Sequence, residues 1–232
     1  EKVEIEANEG SEDDLYVTGN EFVLDGTVKG DLIVFGTTIT INGTVEGDLF
    51  AAGQTVIING TVTDDARIAG AALRIGKNAV IGSDLLGGGA SLEAQNGSTV
   101  EGELVFGSGQ ALLEGKVNGD VLAGTGALEL GGTFGGDVQA YVDVTEGTES
   151  SPPMNMYMTN VPITIPSVPR GLTITDNAKI VGNLKYTSTI DLPIPSGVVG
   201  GKVTRTAPEI GTKVVNAPPT AAEKVGSWAL NI

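Results

Sequence analysis

The sequence predicts an all-β chain: a single-stranded parallel β-helix of triangular coils, 17 to 19 residues each, with a short helix starting at its C-terminal end. Three observations predict it. An acidic residue recurs at a fixed interval, apolar columns keep register with it, and turns rich in Gly and Asn fall between the columns. The period is sought before any element is assigned, because a missed repeat misassigns the whole fold.

The acidic column runs through Asp14, Asp31, Asp48 and Asp65 at steps of 17, then Asp84 and Glu103 at steps of 19, then Asp120 and Asp137 at 17 again. Each acid is followed by an apolar residue, from Leu15, Leu32 and Leu49 to Val121 and Val138. Two further columns lie eight and ten positions on. The first holds Phe22, Ile39, Val56, Leu73 and Leu92, and the second Leu24, Ile41, Ile58 and Ile75. A last column near the end of each coil carries Val28, Val45, Val62, Val80 and Val100. A spacing of two between paired apolar positions is the alternation of a strand with one buried face.

Asp25-Gly26, Asn42-Gly43, Asn59-Gly60 and Asn96-Gly97 mark one corner, and Gly36, Gly53 and Gly70 another. Gly and Asn accept the positive φ that sharp corners are expected to require. Three short strands and three corners then close a triangle. About five inward aliphatics per coil, each worth about 1.5 to 3 kcal/mol, offset the ordering entropy only when coils stack on both sides. Residues 14 to 142 are therefore read as about eight coils, preceded by an acidic flank over 1 to 13.

After Val142 the register is lost. Residues 143 to 170 carry most of the prolines and all three methionines, and proline cannot donate to a central ladder. The segment reads as a flap on the outside of the helix. Its cluster Met154, Met156, Tyr157 and Met158 is the candidate partner contact, since Met makes an adaptable surface. The coil pattern returns over 171 to 205, where Ile180 matches Val199 and Leu184 matches Val203 at a spacing of 19. Residues 206 to 232 read as a linker and the start of a helix, with Thr220 and Glu223 in a capping-box pattern and Trp228 as a membrane-proximal aromatic.

Composition limits the function. The net charge of -16 repels phosphate and the 13 basic residues are scattered, so nucleic acid is not an expected partner. With neither histidine nor cysteine, the commonest general base and the commonest transition-metal ligands are missing. No catalytic residue, cofactor or metal site is expected. The acidic column could form a calcium ladder, but the sequence lacks the nine-residue repeat of calcium-binding β-rolls, and corner carboxylates ordinarily accept backbone N–H groups at their own turn. Thr38 and Thr40 are not repeated as a pair one coil later, so no ice- or glycan-binding array forms. Three Asn-Gly-Thr/Ser triplets match the glycosylation pattern, yet Asn-Gly is also what a corner needs. The chain starts at Glu1 and its first methionine is Met154, so an N-terminal piece is expected to have been removed.

The units NGTVEGDLFAAGQTVIINGTV at 42 to 62, with the closing GNLKYTS and GGKVTRT, resemble the bactofilins, polymer-forming cytoskeletal proteins, and among them the membrane-anchored extracytoplasmic relatives. The resemblance spans about residues 14 to 142 and 171 to 205. It implies a right-handed helix that polymerises end to end without nucleotide and has no catalytic residues. It also implies an extracytoplasmic, surface-exposed chain anchored through residues beyond Ile232, the alternative being a cytoplasmic filament. Expected partners are further copies of the chain or other envelope proteins. The candidate self-association layer is Leu15, Val17, Phe22 and Leu24 at the N-terminal end, where a β-helix leaves ladder groups and apolar side chains open. The competing expectation is a carbohydrate-binding or carbohydrate-active β-helix of the cell envelope.

Overall fold

The structure, a computed structural model, describes residues 1–142 and 161–208. The chain opens with β1 (Lys2–Ile5) and β2 (Gly10–Ser11). Ten-residue strands then alternate with two-residue ones. They are β3 (Leu15–Leu24), β4 (Thr27–Val28), β5 (Leu32–Ile41), β6 (Thr44–Val45), β7 (Leu49–Ile58), β8 (Thr61–Val62), β9 (Ala66–Ile75) and β10 (Val80–Ile81). The alternation continues through β11 (Leu85–Ala94), β12 (Thr99–Val100), β13 (Leu104–Leu113), β14 (Lys116–Val117), β15 (Val121–Leu130), β16 (Thr133–Phe134) and β17 (Val138–Val142). After the insertion come β18 (Gly171–Ile174), β19 (Lys179–Ile180), β20 (Leu184–Thr187) and β21 (Val203–Thr206).

The strands form two parallel sheets that climb together, one of twelve strands and one of nine. Every step pairs a residue with its equivalent one coil on. Leu32 faces Leu49, and Ile41 faces Ile58. Leu85 faces Leu104 across a 19-residue coil, and Leu184 faces Val203 at the closing end. This is the parallel β-helix that the columns predict, except that Ile81 and not Val80 continues the column of Val62 and Val100, because the extra residues of the longer coil precede that strand. Leu32, Val34, Ile39, Ile41 and Val45 are all fully buried, and the same positions of each interior coil build one continuous apolar column.

Three expectations are corrected. The first is the number of strands. Two sides of the triangle run as one ten-residue strand, because the ladder crosses the glycine corner and drops only the single pair after Gly19, Gly36 or Gly53. In β5 the buried residues shift from Leu32 and Val34 to Ile39 and Ile41, an odd step that marks the bend. The second concerns the Asn-Gly corners. Positive φ occurs only at Gly97, Gly171 and Gly197 among the described residues, so Gly43 and Gly60 are not there for a left-handed backbone. They are there for space: a Cβ on either would lie 1.9 Å from the carbonyl oxygen of the glycine one coil below. The third is the acidic flank. Residues 2–5 and 10–11 are strands, and β1 lays Val3 on Phe22 and Ile5 on Leu24. The helix therefore starts a coil earlier than the acidic column indicates.

The predicted helix start over 220 to 232 lies outside the described residues. No helix occurs among the described ones.

Candidate interaction surfaces

Of the four residues expected to form the open N-terminal layer, two are not open. Phe22 is 1% exposed and Leu24 is fully buried, since Val3 and Ile5 complete the apolar layer above them. Leu15 and Val17 are partly buried against the core. β1 covers only the second half of β3, so among the described residues no strand pairs with Leu15–Val17 on the side away from β5. At the other end, β21 pairs only with β20 and leaves Val203 40% exposed.

The acidic column is a hydrogen-bonded ladder. The Asp14 Oδ1 accepts the Asp31 N–H at 2.9 Å, Asp31 accepts Asp48 at 2.9 Å, and Asp48 accepts Asp65 at 3.0 Å. Asp65, Asp84, Asp120 and Asp137 do the same for the acid or Asn183 that follows. The expectation of acceptance within each residue's own corner is thus corrected, for each of these seven aspartates bonds the corner of the next coil. Glycine before the next acid makes room for it: a Cβ on Gly30 or Gly47 would stand 2.4 Å from the carboxylate oxygen. The N–H of Asp84, helped by the Ser83 hydroxyl and the Arg67 guanidinium, holds the Asp65 carboxyl below its ordinary range. The backbone N–H and side-chain amide of Asn183 do the same for Asp137. Among the described residues no three acidic side chains gather as a cation site.

Beside this ladder, the outward positions of the first half of each long strand carry apolar side chains. Two positions after the acid stand Tyr16, Ile33, Phe50, Arg67, Leu86, Val105 and Leu122, paired coil to coil. Four positions after the acid stand Thr18, Phe35, Ala52, Ala69, Gly88, Gly107, Gly124 and Tyr141 in the same ladder. The first column is a ridge and the second, between Phe35 and Tyr141, a groove floored by Ala and Gly. An apolar trough of about 440 Å³ opens where they meet, lined by Phe35, Phe50, Ala52, Ala69, Leu86 and Gly88. Arg67 crosses its edge, bonded to Asp48 at 2.9 Å and Asp65 at 2.7 Å, with its guanidinium 4.9 Å above the Phe50 ring. A sugar needs convergent hydrogen-bond partners, and this lining is almost wholly carbon.

Sequence reasoning missed this face. The signal was the apolar residue at the second position after most acids, which alternation assigns to the outside.

The neighbouring face is covered by the chain itself. Residues 161–170 cross the second half of the long strands, burying Ile165 and Val168. The Arg74 guanidinium, paired with Glu93 at 2.7 Å, donates to the Thr164 carbonyl at 2.7 Å, and the Gln110 amide donates to that of Pro166 at 2.6 Å. This part of the insertion lies against the helix as a strap. Met154, Met156, Tyr157, Met158 and Trp228 fall outside the described residues. Asn42 and Asn59 form a corner ladder, Asn59 Nδ2 to Asn42 Oδ1 and Asn42 Nδ2 to Asp25 Oδ1, both 2.8 Å, which supports the corner reading of those two triplets. Comparison with protein-family models, curated proteins and solved structures finds no match to this chain.

Proposed function

We propose that this chain is a non-enzymatic structural scaffold that self-associates, the ectodomain of a membrane-anchored, bactofilin-like protein on the outside of the cell. The observation that carries the reading is the architecture. Almost every described residue serves one stack of coils, whose openings are shallow.

Several features support it. The chain has no histidine or cysteine, and the carboxylates recur singly along a corner, its aspartates each tied to a backbone N–H of the next coil. Nothing in such a ladder assembles a nucleophile, a base and an orienting group at one point. Open ladder edges at β3 and β21 are the surfaces on which a further copy satisfies backbone groups at least cost. The membrane anchor, the extracytoplasmic location and the kinship rest on the sequence resemblance of the coils and of the closing pair GNLKYTS and GGKVTRT.

Sedimentation velocity and negative-stain electron microscopy of the purified chain, from low to high concentration, test the reading. Concentration-dependent assemblies are expected. A strict monomer throughout refutes self-association.

A further inference from the structure

The ridge and groove are complementary to each other, and this points to how two copies meet. We propose that this face is the contact between two copies, related by a two-fold axis that runs along the helix axis and keeps each coil opposite its own counterpart. The inference rests on the self-association reading and adds a surface and an orientation to it.

The geometry selects this axis. Two residues along a strand place the columns about 7 Å apart, side by side on one flat face. A two-fold along the helix axis exchanges left and right without changing height. The ridge of one copy then lies on the groove of the other: Phe50 over Ala52, Leu86 over Gly88, Leu122 over Gly124. Leu86 and Leu122 meet open space, for a Cβ at Gly88 or Gly124 would have no heavy atom within 4 Å, and Phe50 meets a single methyl group. Leu86 and Leu122 are 50% and 41% exposed, so they have surface to lose. Phe35 and Tyr141 close the ends of the groove.

Electrostatics select the same axis. The acidic ladder borders the ridge and leaves the groove side free. The two-fold along the helix sends the two ladders to opposite edges of the interface. Rotation about the strand direction instead sets ridge on ridge and brings one ladder of carboxylates toward the other, which repel. Arg67, the one cation on the face from Tyr16 to Tyr141, stays paired with Asp48 and Asp65 of its own chain and meets the small Ala69 of the other.

The area suits a weak, concentration-dependent pair. The groove from Ala52 to Gly124 spans five strands, about 24 Å at about 4.8 Å each, and about four residues make it about 13 Å wide. Two copies then bury about 600 Å² in ridge-on-groove contact, in the range of transient encounters. At a net charge of -16 per chain, such a pair is salt-sensitive.

The test is sedimentation equilibrium of the full chain. The wild type should form a dimer whose population rises with concentration and with sodium chloride. Gly88→Arg fills the groove without disturbing the fold, and Leu86→Glu charges the ridge; each should weaken dimerisation at least tenfold while circular dichroism and the melting temperature stay near wild type. Orientation is read by crosslinking, because the chain has no cysteine of its own. A mixture of Leu86→Cys and Gly88→Cys chains should join through a short bismaleimide more efficiently than Leu86→Cys chains alone.

A monomer at every concentration overturns this proposal together with self-association. Assembly unaffected by both substitutions overturns the face and leaves the helix ends. A Leu86→Cys thiol shielded from reagent at every dilution places another occupant there, the chain's own residues 143–160 included, and also overturns it.

Discussion

Replacing Gly43 by alanine tests whether coil spacing, and not backbone conformation, demands glycine at the Asn-Gly corner. An ideal Cβ at Gly43 stands 1.9 Å from the Gly26 carbonyl oxygen and 2.7 Å from that of Asp25. Real Cβ atoms do not approach closer than 3.0 Å, so the corner must open by about 1.1 Å. Three bonds hold it closed: the N–H groups of Asn42 and Gly43 to the Leu24 carbonyl, both 2.8 Å, and that of Thr44 to the Gly26 carbonyl at 3.0 Å. Stretching them by that amount carries them past the hydrogen-bonding range of about 3.2 Å. At about 1 kcal/mol each, loss of two or three costs about 2 to 3 kcal/mol, against a gain of about 0.4 to 1 kcal/mol from a stiffer unfolded chain. The expected net loss is about 2 kcal/mol, read by urea denaturation followed by circular dichroism. Gly124→Ala is the control: it is open and has no positive φ, so it should be neutral or slightly stabilising. Gly43→Asn separates the two explanations, because a left-handed corner tolerates Asn better than Ala, whereas a crowded one does not. A Gly43→Ala chain within about 0.5 kcal/mol of wild type, or an Asn variant clearly better than the Ala one, refutes the crowding argument.

Ile58 is fully buried between Ile41 and Ile75, so Ile58→Asp should abolish cooperative unfolding by placing an unpaired charge at a cost of several kcal/mol, seen as loss of the β signal in circular dichroism. Asp31→Ala removes the acceptor of the Asp48 N–H and should cost about 1 kcal/mol in urea, while Asp31→Asn should restore most of it, since Asn183 accepts the Lys202 N–H at 2.9 Å in the same column. Asp65 and Asp137 have folded values below their unfolded ones, so their contribution is complete above the unfolded range of about 3.9 and is lost as pH falls through the folded values. Stability followed from pH 7 to pH 2 should therefore show these two groups contributing in full and without pH dependence above about 4.5, and a progressive loss of their contribution below it; Asp65→Asn with Asp137→Asn should flatten that acid limb.

The fold was legible because its determinants repeat. A column such as Ile39, Val56, Leu73 or Leu32, Leu49, Leu104 has one solution, in which each residue stacks on its equivalent. Register is set by the same side chains that form the core. What the sequence concealed was the reason for its glycines. Gly43 and Gly97 both follow Asn, yet only Gly97 has φ of 99°, while Gly43 answers to the oxygen of another coil. A dipeptide read in isolation reports local conformation and cannot report an atom 17 residues away. The N-terminal coil was concealed for a related reason: Val3 and Ile5 align with Phe22 and Leu24, but the acidic residue by which the coils were counted has no equivalent before Asp14.

The outer face was hidden by the strength of the inner one. Alternation at a period of two identifies which residues turn outward, and the general rule then assigns them to water. Tyr16, Phe35, Phe50, Leu86 and Leu122 break that rule in the half of the coil that the strap over 161–170 does not occupy. The acidic ladder beside them has two physical consequences at once. Toward the helix its oxygens accept backbone N–H groups and fix the pitch of the coils; toward solvent it makes one border of the apolar face negative and leaves the other free. A face with a charged border on one side only can meet its copy in one sense of rotation and not the other. The residues that hold the coils in register therefore also determine how two such helices can lie together.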